Sequence, residues 1–459
     1  MTRMIHRFFL PHPPAAVDAI QGNKKELLNN TIEGFRNAAK KIAEQKPKVI
    51  VIITPHGPCF GDHYYIPSQK RISGDFSAYG NKKLILGFDC DLDLAERIHE
   101  KAAEKGLSAG FVDDKTMKRN GISYDLDHGI LVTMYFICQY YQDFKLLPIS
   151  LSGQNGKHHY KMGIVLREAI KEYPEDVVII ASGNLSHKAT EEHGAAFDKK
   201  LKKLLLAENI PGILDFDPEQ KEQAEQCGLD SCRMLLGTLD GFDFYTNILA
   251  YEHPLGTGYL SAEFHCGKPK ESALVYYLAE EETRLQQRWA AESPVVQLSR
   301  KAISAYLKDK KEITLDTNTP ESLKAESCGV FVTLKNDGRI RGNAGTTMAT
   351  QPSLGEEIIY HAIRALKSDM TDPITEEELK DLSIEVCTLS EPEEISNQQQ
   401  LNPQTYGLIL ESKKRCAVLL PGLPHIDTPE KQIQAAKAQA GIHPWHRTKL
   451  KRFTVTRYK

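Results

Sequence analysis

Val49-Ile50-Val51-Ile52-Ile53-Thr54-Pro55-His56-Gly57 is an unbroken β-branched run that stops at a Thr-Pro-His-Gly turn. A strand with one wet face alternates apolar and polar residues. A run without alternation suits a central strand covered on both faces, as in α/β sheets. Upstream, Ala38–Ala43 closes a helix and Pro47 leads into the strand. Lys83–Leu86, Phe144–Ser150 and Val177–Ile180 read as further strands of the same kind. Amphipathic helical stretches lie between them, at about 91–105, 128–141, 157–172 and 192–207. Strands alternating with helices predict an α/β domain with a central mixed sheet flanked by helices.

The composition pattern changes near residue 280. Ala279–Leu307 is rich in Ala, Glu, Arg, Gln and Leu and reads as helix, with a break at Ser293-Pro294 that suits an N-cap and a first helical position. Short strands follow at Gly329–Leu334, Ile384–Leu389, Tyr406–Ser412 and Arg415–Leu419, with two or three helices among them. The expected domains are 1–280 and 290–459, packed together because no low-complexity linker separates them. Asn336-Asp337-Gly338 signals a hairpin turn. Just beyond it, Arg341, Gly342 and Asn343 form a candidate ligand-binding loop, weighed against exposed strand arginines. The end of the chain carries Arg447, Lys449, Lys451, Arg452, Arg457 and Lys459 without an acid, interleaved with Trp445, Phe453 and Tyr458. That pattern admits single-stranded nucleic acid. The plainer reading is a final strand with a solvated basic face.

Bulk properties narrow the function classes. The 459 residues are 41% hydrophobic and 26% charged, which is ordinary globular composition. A net charge of −3 gives no bulk attraction to nucleic acid or a membrane. Nine cysteines, an odd number with no CxxC pair, argue against a disulfide framework or a structural zinc site. The start MTRMIHRFFLPHPP lacks the apolar run of a signal peptide, and no stretch reaches the roughly 20 apolar residues of a spanning helix. A cytoplasmic location without membrane contact is expected.

Four short motifs stand at strand ends, where α/β sheets gather their sites. They are Pro11-His12-Pro13-Pro14, Thr54-Pro55-His56-Gly57, Leu126-Asp127-His128-Gly129 and Ser182-Gly183-Asn184-Leu185-Ser186-His187. One histidine at a strand end usually caps or packs. Four at equivalent positions predict a cluster for metal binding, proton transfer or both. His158 and His159, in a polar segment, and His99, on a charged helix, read instead as surface residues.

These motifs resemble those of LigB-type class III extradiol dioxygenases and their Memo-like relatives. Cys227-Gly228-Leu229-Asp230-Ser231 and Pro254-Leu255-Gly256-Thr257-Gly258-Tyr259 match as well, and the resemblance runs from residue 5 to about 270. It implies a mononuclear non-haem Fe(II) with His12 and His56 as ligands, and a catechol-like or vicinally chelating small aromatic substrate with O2 as partners. His187 would be the acid–base residue, and His128 would orient or protonate the substrate. Ring-cleaving members supply a Glu as third ligand and Memo-like members a Cys. Cys227 aligns with the Memo position, while Asp230 and Glu225 are the nearest carboxylates. Cys227 and Asp230, if helical, would share one face. A thiolate ligand would admit copper or zinc as alternatives to iron. The other function open at this point is metal binding without ring cleavage, or a step in nucleic-acid or cofactor modification.

The second half is similar to the AMMECR-type domain family from about Ser293 to Arg457, through GVFVTLKNDGRIRGNAGT, PITEEELKDLSIEVCTLSEPEEI and LLPGLPHIDTPEKQIQAAKAQAGI. The resemblance implies an α+β fold. Members commonly carry Cys where this chain has Asn343, and an amide cannot serve as a thiolate nucleophile. The two families occur together with a radical S-adenosylmethionine protein, in the grouping called AmmeMemoRadiSam. Such a protein is an expected partner, since this chain has no CxxxCxxC run.

Overall fold

A computed structural model describes residues 6–20, 24–123, 125–336, 339–368, 373–376, 378–412, 415–423, 425–443 and 445–459. The chain forms two compact units, Met1–Ala279 and Glu280–Lys459.

The first unit is built on a six-stranded mixed sheet. In chain order its strands are β1 (His6–Leu10), β2 (Val49–Thr54), β3 (Lys145–Ser150), β4 (Val177–Ser182), β5 (Phe242–Glu252) and β6 (Tyr259–Pro269). Across the sheet the order is β3-β2-β4-β1-β6-β5. The first four are parallel, with Ile52 beside both Pro148 and Ile180, and Phe8 beside Ile180. β6 returns antiparallel to β1, and β5 antiparallel to β6.

Every residue of β2 and β4 is buried, as the unbroken apolar runs require. Helices cover both faces. α1 (Asn29–Gln45) and α2 (His128–Ile137) pack on one side, where Phe35, Ala39, Ile130 and Met134 meet Phe8, Ile50, Ile52 and Ile180. α3 (Gly156–Lys171) and α4 (Leu229–Gly237) pack on the other, where Tyr160, Val165, Leu229 and Leu235 meet Phe9, Val51, Ile53 and Ile179. Two of these helices begin where a short polar side chain caps them. Asp127 accepts from the Gly129 and Ile130 amides of α2, and Asn155 from Lys157 and His158 of α3.

Two expectations need correction. Lys83–Leu86 is not a strand of the central sheet. It lies within Asn81–Asp89, paired antiparallel with Arg71–Phe76 in a separate two-stranded ribbon whose outer side is wet. Its lysines and the 63% exposure of Ile85 show a strand with only one covered side. His159 is not a surface residue; it is 1% exposed, with its Nδ1 3.2 Å from the Tyr64 hydroxyl. The β5–β6 hairpin is an addition, because its sequence mixes polar and apolar residues without the runs that mark the parallel strands.

The second unit is α+β. Arg339–Thr346, Gly329–Asn336, Ser383–Leu389 and Val455–Tyr458 form one antiparallel sheet in that order. Pro294–Asp309 and Leu354–Leu366 cover it. Glu393–Ile395, Lys449–Phe453, Gly407–Ser412 and Arg415–Leu419 form a second, with Pro429–Gln439 packed on it. Ser293 caps its helix through the Val296 amide, as the Ser-Pro signal predicts. The hairpin residues Asp337 and Gly338 lie outside the described residues; the strands flanking them pair antiparallel. The basic end of the chain is two strands rather than one, and three of its six basic residues pair with glutamates. Lys451 pairs with Glu411, Arg452 with Glu393 and Lys459 with Glu385.

Because β2 is covered on both faces, Ile52→Ala and Ile53→Ala should each destabilise the first unit by about 2–5 kcal/mol, the usual range for a buried Ile truncation. Urea unfolding of the first unit measures this. A silent substitution at either position would mean that one face of β2 is wet.

Candidate metal centre

The parallel arrangement of β1, β2 and β4 brings their C-terminal ends to one edge of the sheet. His12 follows β1, His56 follows β2, and the loop after β4 leads to His187. His128 opens α2. His12 is 1% exposed and His128 half-buried, while His56 and His187 stand at the open side. His12, His56 and His128 each offer a ring nitrogen, and these atoms lie within 4.8 Å of one another.

Hydroxyls and one carboxylate hold the rings in place. The Thr54 hydroxyl donates to Asp127 at 2.9 Å and accepts from the His56 amide at 3.2 Å. One contact thus ties the turn bearing His56 to the cap of the helix bearing His128, and the two rings stack at 4.3 Å. Burial pushes the Asp127 carboxyl up to about 6, against the hydrogen bonds it accepts from Thr54, Gly129 and Ile130. The His12 amide donates to Asn184 Oδ1 at 3.0 Å, and His12 Nδ1 lies 2.9 Å from Ser182 Oγ. The loop of His187 is anchored where the Ser186 amide donates to buried Asp198 at 2.8 Å and the His187 amide to the Ala224 carbonyl at 3.0 Å.

The last donor comes from the loop before α4. A Cβ on Gly183 would fall 2.3 Å from Gly228 Cα, so the two backbones touch and neither position accepts a side chain. This contact brings the Asn184 amide to within 3.3 Å of Cys227 Sγ, to which it donates. Cys227 Sγ is 3.5 Å from His12 Nε2 and 3.8 Å from His187 Nε2.

The electrostatics favour neutral donors. Burial, reinforced by His56, His128 and His187, holds His12 well below the ordinary imidazole range. Burial likewise lowers His56, with His128 and His187 adding to it, and lowers His128 and His187. Neutral imidazoles keep a lone pair for a cation. Burial pushes the Cys227 thiol up to about 11. A bound cation opposes that shift by stabilising the thiolate.

The spacing also fits an ion. His12 Nε2 and His56 Nε2 are 3.1 Å apart. Two nitrogens each about 2.1 Å from one metal stand about 3 Å apart when the bonds are at right angles. Two imidazoles and a thiol are donors for iron, copper or zinc.

The other third-ligand candidates are otherwise engaged. Asp230 pairs with Arg233 at 2.7 Å and stands 3.8 Å from Lys221. The expected shared helix face fails, because α4 starts at Leu229, after its cap Gly228, and Cys227 lies outside the helix. Glu225 adopts a left-handed backbone with φ 50° and pairs with Lys188 at 2.8 Å. Thr54, Asp127, Ser182 and Asn184 lie inside the four motifs, yet nothing in their spacing shows which ring each one holds. Tyr79, 5.7 Å from the His128 ring, comes from the ribbon, and no sequence signal marks it.

In the second unit, Arg341, Gly342 and Asn343 lie on a paired strand rather than a loop. Arg341 makes a two-pronged pair with Glu378. A Cβ on Gly342 would fall 2.2 Å from the Ala365 carbonyl, and the Asn343 amide donates to Thr333 at 3.0 Å. Each has a structural partner.

Residues 6–262 match the family described as the catalytic LigB subunit of aromatic ring-opening dioxygenase, and residues 296–458 the family described as AMMECR1. The chain belongs to the LigB family and carries an AMMECR1 domain fused to it. A protein of Clostridium acetobutylicum is 31% identical over 98% of both chains, so the same fusion length recurs there. A MEMO1 family protein of Methanosarcina acetivorans is 27% identical over 30% of this chain and 47% of its own. A solved structure of an uncharacterised Pyrococcus horikoshii protein is 32% identical, covering 36% of this chain and 88% of that one, with a TM-score of 0.34.

Gly183→Ala should cost about 1–3 kcal/mol through overpacking and displace Cys227 from His12. Chemical denaturation measures the first effect, and a weakened Zn(II) titration the second. Unchanged stability would show that the Gly183–Gly228 contact is not tight in solution.

Proposed function

We propose that the first unit is a Memo-like metal module whose single ion, iron first and copper or zinc as alternatives, is held by His12, His56 and Cys227. The observation that carries this reading is Cys227 Sγ, 3.5 Å from His12 Nε2, with Asp230 and Glu225 both paired to cations. Bound there, the ion would supply Lewis acidity and a route for electron exchange with O2. The remaining side chains have roles of their own. His128, half-buried beside Tyr79, would hydrogen-bond the hydroxyls of a small, vicinally chelating aromatic. His187, on the open side, is placed to take or return a proton. Buried His12 forms the dry floor of the site.

The second reading is an extradiol-type, ring-opening dioxygenase acting on a catechol-like substrate. Membership of the LigB family favours it. A carboxylate as third ligand would favour it further; among the described residues the group within 4.8 Å is His12, His56 and His128, which neither a carboxylate nor Cys227 joins, and Cys227 is reached through His12. A radical S-adenosylmethionine protein is the proposed partner, on the resemblance of the two halves to the families of that grouping. Among the described residues, no helix is long and apolar enough to cross a membrane, and a cytoplasmic location is part of the proposal.

Anaerobic reconstitution with Fe(II), followed by oxygen uptake across a panel of catechols, separates the two. One iron per chain without uptake on any catechol supports the module, while uptake with ring-opened product supports the dioxygenase. His12→Ala and His56→Ala should each abolish tight iron binding. Full stoichiometry in the double variant would remove the site assignment. Cys227→Ser should weaken iron binding about tenfold or more, since a hard hydroxyl replaces a soft thiolate. Asp230→Asn should leave iron bound and cost about 1–3 kcal/mol of stability at Arg233. His187→Ala should keep the metal; if the protein turns over a catechol, it should lose about 10²–10⁴-fold in rate.

A further inference from the structure

Ser182, the last residue of β4, is fully buried. Among the described residues its hydroxyl has two hydrogen-bond neighbours. The Gly129 carbonyl lies 2.8 Å away and His12 Nδ1 lies 2.9 Å away. A carbonyl can only accept, so the hydroxyl proton points to Gly129. The Ser182 oxygen then offers only lone pairs to His12, and His12 Nδ1 must carry a hydrogen. A neutral imidazole has one N–H, which leaves Nε2 bare. His12 Nε2 is the atom that faces His56 Nε2 at 3.1 Å and Cys227 Sγ at 3.5 Å.

We propose that Ser182 is a positioning residue of this centre: oriented by the Gly129 carbonyl, its hydroxyl fixes the Nδ1–H tautomer of His12 and presents the Nε2 lone pair to the ion. The proposal rests on the metal-binding reading given above for its consequence, though not for the tautomer itself. The geometry leaves little room for another source of control. The neighbouring Asn184 side-chain oxygen Oδ1 is taken by the His12 backbone amide, not by the ring. The Gly129 carbonyl also lies 3.2 Å from the Thr133 hydroxyl, a longer contact than its 2.8 Å to Ser182, and it is the acceptor that the Thr133 amide meets in α2. Gly129 follows His128 at the start of α2, so one hydroxyl sets the ring of His12 and links it to the helix turn that carries His128. Which ring nitrogen of a histidine stays free is set by the hydrogen bond that the other makes. Without the hydroxyl, His12 is free to place its hydrogen on Nε2, where it would point at the ion position.

The test uses the full chain, labelled with 15N-histidine and stripped of metal by a chelator, in long-range 1H–15N correlation spectra. His12→Gln identifies the His12 signals by their loss. The wild-type chain should show the Nδ1–H form at His12. Ser182→Ala should shift His12 toward the Nε2–H form and weaken Zn(II) binding by about 10–100-fold, the usual effect of losing a ligand's outer partner. Ser182→Thr, which keeps a hydroxyl, should restore the tautomer and most of the affinity, and circular dichroism checks that both variants fold. If Ser182→Ala does not fold, an Nδ1–H form in the wild type and in Ser182→Thr supports the proposal. An Nε2–H form in the wild type would overturn it. So would weaker Zn(II) binding in Ser182→Ala with the tautomer unchanged, because Ser182 would then act through packing alone. A tautomer that responds to Ser182 in a chain that binds no Zn(II) or Fe(II) would leave the positioning role standing and remove the metal-binding reading.

Discussion

A strand covered on both faces has nowhere along its length to put an ionisable side chain, since an unpaired charge there would lose its hydration without return. β2 and β4 are buried from end to end, so their polar residues gather at the ends. Parallel alignment of β1, β4 and β2 then puts those ends on the same edge. The histidine cluster follows from that constraint. Residues as distant in sequence as His12 and His187 become neighbours because apolar strands between them must pair in parallel and be covered by helices.

At that edge the protein builds a site from neutral donors. Buried polar groups must find partners, and here the partners are the strand-terminal hydroxyls Thr54 and Ser182 and the capping carboxylate Asp127. Each links one histidine-bearing segment to another. The two carboxylates nearest in sequence to Cys227 answer to different charges, Asp230 to Arg233 and Glu225 to Lys188. A half-buried thiol is left facing the imidazoles. Its burial raises the thiol, and the same burial lowers the histidines, so the set is poised to gain most from a cation that relieves both effects.

The second unit shows the opposite use of charge. Arg341, Lys451 and Arg452 look available in the sequence, yet each finds a glutamate on an adjacent element. For Lys451 and Arg452 the glutamates stand on neighbouring antiparallel strands, whose side chains face one another, while Glu378 reaches Arg341 from a helical turn beside the sheet. Asn343 Nδ2 donates to the Thr333 hydroxyl across the neighbouring strand pair.

The sequence by itself determined the class of the fold, the buried parallel strands β2, β3 and β4, and the four motifs, but not the bounds of the strand β1 that precedes His12. Those features are local: a β-branched run such as Val49–Ile53 states its own burial, and Asp127 and Ser293 state where a helix starts. It also placed His12, His56 and His187 after strands that Pro or Gly ends, and His128 at the start of a helix. Only the tertiary structure decided which of three neighbouring side chains faces the histidines. Cys227, Glu225 and Asp230 lie within six residues of one another in the sequence, and the choice among them depends on a backbone contact between Gly183 and Gly228 and on an arginine one helical turn further along α4. The burial of His159 and the place of Lys83–Leu86 outside the central sheet were hidden for the same reason. Burial and charge pairing are set by what other segments bring to a residue, and a residue's own neighbours in sequence carry no record of that.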